Sequence, residues 1–223
     1  MRLPDIVDVG RAVCITVPAR WPEGFASVQE QFARRGVPMT ALVNGPAEAL
    51  PAAGPGMALM PHEGEAPPPA TFWGPAGSWW HRQAFMRIVQ EALDDGVEKL
   101  LIAEDDCVFT EDADAILGRV ELPEDWAMAY LGAMHAWGKM EPAGPYLMRT
   151  CGARGIHAVV YRREAFETLL GLPPEGPIDH EIAERLHPSL PCYALWPNAV
   201  IQAEVISTLT GKPSARAAFF DRS

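Results

Sequence analysis

The sequence predicts one α/β domain built on a mainly parallel sheet flanked by helices. Three observations predict it. Apolar strand-like runs alternate with segments of helical period, turn residues mark each changeover, and no internal repeat or second apolar core interrupts the series. At 223 residues the chain has the length of a single domain, and 48% hydrophobic with 21% charged residues is the balance of a globular protein.

RAVCITVPAR is β-rich from Ala12 to Val17 and closes at Pro18, which makes it the first strand. In GFASVQEQFARRG, Phe25, Val28 and Phe32 recur at helical spacing, Arg34 and Arg35 occupy the last turn, and Gly36 supplies a stop. VPMTALVNG is a second strand ending on the turn pair Asn44-Gly45. From Pro46 to Gly77 prolines and glycines crowd together, so 46–77 reads as a long loop, either a lid or binding element or a surface insertion. SWWHRQAFMRIVQEALDDG carries one apolar stripe from Trp80 to Leu93, with Ser78 as the expected cap and Gly96 as the stop. VEKLLIA is a short, nearly continuous apolar strand of the kind buried on both faces of a sheet.

The second half repeats the alternation. EDADAILGRV is a helix with acids at its start, DWAMAYLG a strand, and GIHAVVYRREAFETLLG a strand followed by a helix. PIDHEIAERLH is a short helix with Asp179 and Glu181 in its first turn, and CYALWPNAVIQ is the last β-like piece.

Composition narrows the function. A net charge of -11 disfavours a broad nucleic-acid surface, which gathers Lys and Arg, though it leaves room for a local pocket for a small anion. No run approaches the roughly 18 apolar residues of a transmembrane segment. MRLPDIVDVGR interrupts any signal-like apolar stretch with Pro4 and two aspartates, so the expected location is cytoplasmic. Cys14, Cys107, Cys151 and Cys192 form no C-x-x-C pair and are expected to be small core residues.

LLIAEDDCVFT carries the most chemistry. It delivers Glu104, Asp105 and Asp106 at the C-terminal end of a buried strand, where open α/β sheets bind their ligands. Close carboxylates repel and raise one another's pKa unless a cation or hydrogen-bond donors neutralise them. The simplest neutraliser is a divalent ion such as Mg²⁺ or Mn²⁺, which uses one or two carboxylates and completes its shell from substrate phosphates. A solvated acidic turn at a helix start accounts for the pattern equally well.

Several segments, in order, resemble a family 25 glycosyltransferase, the group of lipopolysaccharide and collagen galactosyltransferases with a GT-A type fold. CITVPARWPEGFASVQEQFARRGVP is similar to the family's opening strand and Arg-containing helix. HRQAFMRIVQEALDDGVEKLLIAEDDCVFTED is similar to its Ser-His helix and Glu-Asp-Asp strand end. PEDWAMAYLG, GIHAVVYRREAFETLL, PID and PNAVIQAEVIS resemble its Tyr-Leu-Gly segment, its Ala-containing strand and helix, its next acidic motif and its closing Pro, Gln and Ser. The chain departs from the pattern at Trp80, where the family usually has Ser before His81, and over 46–77, which aligns with nothing.

The resemblance implies a GT-A-like, Rossmann-like fold and a metal-dependent transfer of sugar from a nucleotide-diphosphate donor, a UDP-sugar first, to an acceptor hydroxyl with inversion. The acceptor would be a glycan, a glycolipid or another hydroxyl compound. Asp106 would bind the metal, Glu104 would share it or orient the ribose, and Asp105 belongs to the same motif. A carboxylate would take the acceptor's proton, Asp179 first and Glu181 second, although an Asp at a helix start also serves as a cap. Arg11 and Arg20 would contact the nucleotide, His81 the donor, and Gln202 and Ser207 the sugar or metal. Trp73, Trp79 and Trp80 suggest a sugar-stacking platform, with core burial the plainer reading for Trp80. The rival readings are a nucleotidyltransferase of similar fold and a nucleotide-sugar-binding protein that has lost turnover. A haloacid-dehalogenase-type hydrolase is disfavoured because Asp106 is followed by Cys, Val and Phe before Thr110.

Overall fold

The computed structural model describes residues 8–66, 71–134 and 139–203. In the first half, β1 (Arg11–Thr16), α1 (Glu23–Ala33), β2 (Thr40–Gly45), β3 (Met57–Pro61), α2 (Ala76–Asp94), β4 (Lys99–Glu104), β5 (Cys107–Phe109) and α3 (Ala113–Leu117) follow one another. The second half holds β6 (Met128–Tyr130), β7 (Lys139–Gly144), β8 (Leu147–Cys151), β9 (Ala158–Arg162), α4 (Arg163–Leu170), α5 (Ile178–Glu181), β10 (Cys192–Leu195) and β11 (Val200–Gln202). A π-helical stretch, Ile182–Leu186, continues α5.

Among the described residues, nine strands form one sheet in the order β3-β2-β1-β4-β9-β6-β10-β8-β7. β3, β2, β1 and β4 pair in parallel; β9 is antiparallel to both β4 and β6, so β6 points the same way as β4. β10 is parallel to β6, and the β8–β7 hairpin closes that edge in antiparallel register. Only β8 and β9 of this sheet therefore run against the rest. The mainly parallel α/β fold expected from the alternation is the fold found.

Side-chain alternation explains the two layers. Ala12, Cys14, Leu101 and Ala103 face α1, where Phe25, Val28 and Phe32 pack; Val13, Ile15, Leu100 and Ile102 face Phe85, Ile88 and Val89 of α2 and Phe166 of α4. β4 reads as an unbroken apolar run because both of its faces are covered. The expected stops hold, since Gly36 and Gly96 have positive φ values of 79° and 69°.

Four expectations need correction. The 46–77 segment is not all loop, because β3 adds to the sheet edge in parallel register, Ala41 opposite Met57 and Gly45 opposite Pro61. Its Pro and Gly content hid a strand at the edge, where Pro61 loses little. α2 begins at Ala76 after Pro75 with no side-chain cap, so Ser78 lies inside the helix. Cys14, Cys107 and Cys192 are buried, and burial above all pushes their thiol pKa values up, but Cys151 is exposed. The β7–β8 hairpin and β5 were not anticipated, since their polar or very short sequences carry no clear period. No helix of the described residues is long and apolar enough to cross a membrane.

Candidate active site

A cleft of about 380 Å³ opens at the C-terminal ends of β1, β2 and β4. The strand order fixes what lines it. Val17 to Arg20 follow β1, Asn44 and Gly45 end β2, His62 follows β3, and Glu104 ends β4, with Asp105 and Asp106 in the turn to β5. Gly77, Ser78, Trp80 and His81 enter from the start of α2, and Pro177, Ile178 and Asp179 from the start of α5. β11 pairs antiparallel with β5, Gln202 opposite Cys107, and the Ala203 amide donates to the Asp106 carbonyl at 2.8 Å. That pairing carries Gln202 to acids almost a hundred residues earlier.

The three acids have separate surroundings. Asp105 is buried; its Oδ2 accepts from the Thr16 hydroxyl at 2.7 Å and the Val17 amide at 3.3 Å, and its Oδ1 accepts from Arg20 at 2.8 Å. Both of its oxygens thus tie the turn after β1 to the tip of β4. Burial raises its pKa, while Arg20, Thr16 and Val17 oppose the rise. These contacts make Asp105 the anchor of the turn, and it lines the cleft beside Glu104 and Asp106.

Glu104 and Asp106 share one donor. Gln202 Nε2 donates to Glu104 Oε2 at 2.9 Å and lies 3.4 Å from each Asp106 oxygen. The Arg20 guanidinium reaches Asp106 Oδ2 at 3.1 Å, and His81 Nε2 lies 3.1 Å from Glu104 Oε1, an ion-pair distance. Burial pushes the Asp106 pKa up to about 6, the Glu104 charge adds to the rise, and Arg20 only partly offsets it. For His81, burial acts to lower the pKa, but the adjacent Glu104 carboxylate, helped by Asp179 and Asp105, raises it overall. Two carboxylates therefore meet in the cleft wall with positive charge that does not fully compensate them.

The described residues hold no group of three or more His, Cys, Asp or Glu side chains arranged to hold a metal ion. Two hard oxygen donors beside an open cleft do fit an ion of the Mg²⁺ or Mn²⁺ type, which takes the rest of its shell from water and phosphate. Burial first and the Glu104 charge second raise the Asp106 pKa, and a bound cation would favour the ionised carboxylate against both.

Asp179 lines the cleft, and its Oδ2 accepts from the Gly155 amide at 3.4 Å. α5 has no side-chain cap and its N-cap is Pro177, so capping does not account for Asp179. Glu181, the second candidate, points elsewhere. It is 2% exposed, pairs with Arg185 at 2.7 Å and does not line the cleft, because two residues along a helix turn the side chain to another face. Glu181→Ala is accordingly expected to lower stability by about 2 kcal/mol through loss of a buried charged hydrogen bond, measured by urea unfolding, with turnover per folded molecule unchanged.

Arg11 is also displaced from the expected site. It begins β1 at the opposite end of the strand and pairs with Asp95 at 2.5 Å. Its neighbour in the expectation, Arg20, does line the cleft, but engages the acids. Ser207 lies outside the described residues.

Residues that the sequence did not single out also line the site. The His62 ring stacks on Trp80 with centroids 4.4 Å apart and planes 9° from parallel, and His62 Nε2 donates to Asn44 Oδ1 at 3.0 Å. Burial lowers the His62 pKa against the pull of Glu48, which keeps the stacked ring neutral at neutral pH. Trp80 is thus a cleft residue and not a core one. Trp79 meets Phe72 edge to face, and Trp73 is 46% exposed. The only sequence signals for the His62 pair were the turn after β2 and the unmatched Trp80.

No protein-family model and no curated protein matches the chain. Among solved structures, mannose-1-phosphate geranyltransferase from Thermus thermophilus is similar over 83% of this chain and 73% of its own length, at 16% identity and a TM-score of 0.51. A glycosyltransferase involved in the glycosylation of the major capsid of PBCV-1 matches 84% of this chain and 82% of its own, at 14% identity and a TM-score of 0.47. At these identities the likeness is one of fold. The chain has a mixed α/β fold with a mainly parallel central sheet, similar to that of the Thermus thermophilus enzyme, and its candidate site lies at the strand ends where open α/β sheets bind ligands.

Proposed function

We propose that the protein is a family 25-like glycosyltransferase that moves a sugar from a nucleoside-diphosphate donor, a UDP-sugar first, to an acceptor hydroxyl with inversion. The observation that carries this reading is the pairing of Glu104 and Asp106, under one Gln202 amide, in the same cleft as Asp179. It supplies a cation-demanding wall for a diphosphate and a separate carboxylate for a proton.

The span of the cleft supports the donor class. His62 follows β3 and Glu104 ends β4, three strand spacings away, or about 14 Å across the sheet. That distance suits a nucleoside diphosphate with its base against His62 and Trp80 and its phosphates toward the acids. Bound there, a divalent ion held by Asp106 and Glu104 would neutralise charge developing on the leaving diphosphate. Gln202 holds the two carboxylates in register, and Asp105 with Thr16 fixes the turn on which they stand. Asp179 accepts the proton of the acceptor hydroxyl as its oxygen bonds to the anomeric carbon; the bond from that carbon to the diphosphate breaks, and the nucleoside diphosphate leaves with the electron pair.

Nucleotidyl transfer fits less well. Among the described residues lining the cleft, Arg20 is the only Arg or Lys, and it is engaged by Asp105 and Asp106, which is little positive charge for a triphosphate. Calorimetry with UDP, GDP and their sugars, with and without Mn²⁺, tests the proposal. Nucleoside-diphosphate binding that needs the ion is expected; release of pyrophosphate from a nucleoside triphosphate and a sugar phosphate would instead establish the nucleotidyltransferase. Absence of any metal-dependent nucleotide binding would overturn both.

A further inference from the structure

Asp179 stands on a slender support. Its helix is four residues long, lacks a side-chain cap and runs on into a π-helical stretch, so tertiary contacts rather than its own hydrogen bonds set its place. Ile178, 2% exposed, seats the segment in the core, but that packing does not orient the next side chain. The carboxylate itself accepts from the Gly155 amide at 3.4 Å, which is long for such a bond.

Arg154 reinforces that bond from both ends. It directly precedes the donor, and its main chain is pinned to that of Met134 by hydrogen bonds of 2.8 and 3.0 Å. Gly155 follows at a φ of +80°, which glycine adopts without strain, and a Cβ there would lie 3.2 Å from Met134 Cε. The Arg154 side chain then crosses to α5, where Nη1 donates to His180 Nε2 at 3.3 Å; a guanidinium only donates, so the ring nitrogen accepts. His180 directly follows Asp179, and Trp73 meets its ring edge to face at 4.8 Å. The Gly155–Asp179 and Arg154–His180 contacts thus join the same two stretches of chain at adjacent residues. A third contact, from Arg154 Nη2 to Glu184 Oε1 at 3.7 Å, involves a side chain that is 58% exposed and adds little.

We propose that Arg154 is a positioning residue, which clasps the start of α5 so that the Asp179 carboxylate is held toward the acceptor oxygen; this deepens the reading of Asp179 as the base and rests on it. Arg154 does not line the cleft, so it acts through Asp179 and not on the substrates. Its leverage is geometric. A general base works only within hydrogen-bond reach of the proton it takes, and a displacement of 1 Å costs up to about a hundredfold in rate.

The test uses the full chain with Mn²⁺ and follows nucleoside-diphosphate release from UDP-galactose, UDP-glucose and GDP-mannose in water. The wild type is expected to hydrolyse at least one of them. Arg154→Ala should lower kcat about tenfold with the KM for the sugar nucleotide within about twofold, and Arg154→Lys, which keeps a donor, should recover part of the loss. In an Asp179→Asn background Arg154→Ala should cost nothing further, because no base remains to be positioned. His180→Ala removes the acceptor while leaving Arg154 on Met134, and should reproduce the loss even where Arg154→Ala folds poorly. Losses that multiply in the double variant, a KM that rises as kcat falls, or full activity in either single variant would overturn the positioning role alone. Asp179→Asn as active as the wild type, or a wild type that hydrolyses none of the three donors, would overturn the base assignment and this inference with it.

Discussion

Asp106→Asn is expected to reduce sugar transfer about a thousandfold and, in the same molecule, to make the ligand-free protein more stable at pH 8. The two effects share one cause. Burial and the Glu104 charge push the Asp106 pKa from 3.8 up to about 6, so the folded state holds this proton more tightly than the unfolded chain does. A raised acid pKa contributes stability that is complete below about pH 4 and is lost as pH rises through about 6. Above that pH the ionised carboxylate costs the fold about 2 kcal/mol, taking roughly 1.4 kcal/mol for each tenfold change in proton affinity and discounting for the strong coupling to Glu104. An amide removes the charge and keeps an oxygen to accept from Gln202 and Arg20. Urea unfolding at pH 4, 6 and 8 should therefore show no gain for the variant at pH 4 and the full gain at pH 8. Adding Mn²⁺ should stabilise the wild type and not the variant. A variant less stable than the wild type at pH 8 would show that the carboxylate is a structural anchor like Asp105.

The same electrostatics predicts how the ion binds. If Asp106 holds the proposed ion, a proton and the cation compete for it, so apparent Mn²⁺ affinity should fall about tenfold per pH unit below about pH 6 and level off above it. Titration of Mn²⁺ into the protein at pH 5, 6, 7 and 8 reads this directly. An affinity flat across that range would place the ion elsewhere.

Strands and helices were legible where burial imposed a period. β1, β2 and β4 announce themselves as apolar runs because both faces are covered, and α1, α2 and α4 as stripes because one face is. β3 escaped because an edge strand tolerates Pro61 and partial exposure, so its sequence looks like loop. The acid triplet was legible as a candidate site, and it does line the cleft, but the separate hydrogen-bond partners of its three members were not legible. Those partners, Thr16, Arg20 and Gln202, are residues distant in sequence that only the β1–β4 and β5–β11 pairings bring together. Arg11 and Arg20 look alike as arginines flanking one strand. They differ because a parallel strand has a ligand end and a far end, and Arg11 sits at the far one. Glu181 failed for the other periodicity, since two residues after Asp179 a helix has turned by about 200°. His62 carried no motif at all; its place follows from an edge strand that the sequence concealed.

Asp179→Asn is expected to lower turnover by about 10² to 10⁴ while leaving donor affinity within about twofold. The argument is one of position. Asp179 enters the cleft from the start of α5, whereas Glu104 and Asp106 enter it from the β4–β5 turn, and its contact is with the Gly155 amide rather than with the metal-type acids. Asn retains an oxygen that can accept from Gly155, so the loop should stay in place and the fold should not change. What Asn lacks is the capacity to take a proton from an acceptor hydroxyl. On the proposed reading, in which the donor is held from the β4–β5 turn, the loss should therefore appear in kcat, with the KM for the nucleotide sugar nearly constant. Hydrolysis of the donor by water, slower and equally in need of a base, should fall in parallel. A structural role predicts a different pattern, with a lowered melting temperature and a raised KM together. Equal turnover in Asp179→Asn and the wild type would remove Asp179 as the base and, because Glu181 is buried against Arg185, would leave neither of the two α5 carboxylates to serve.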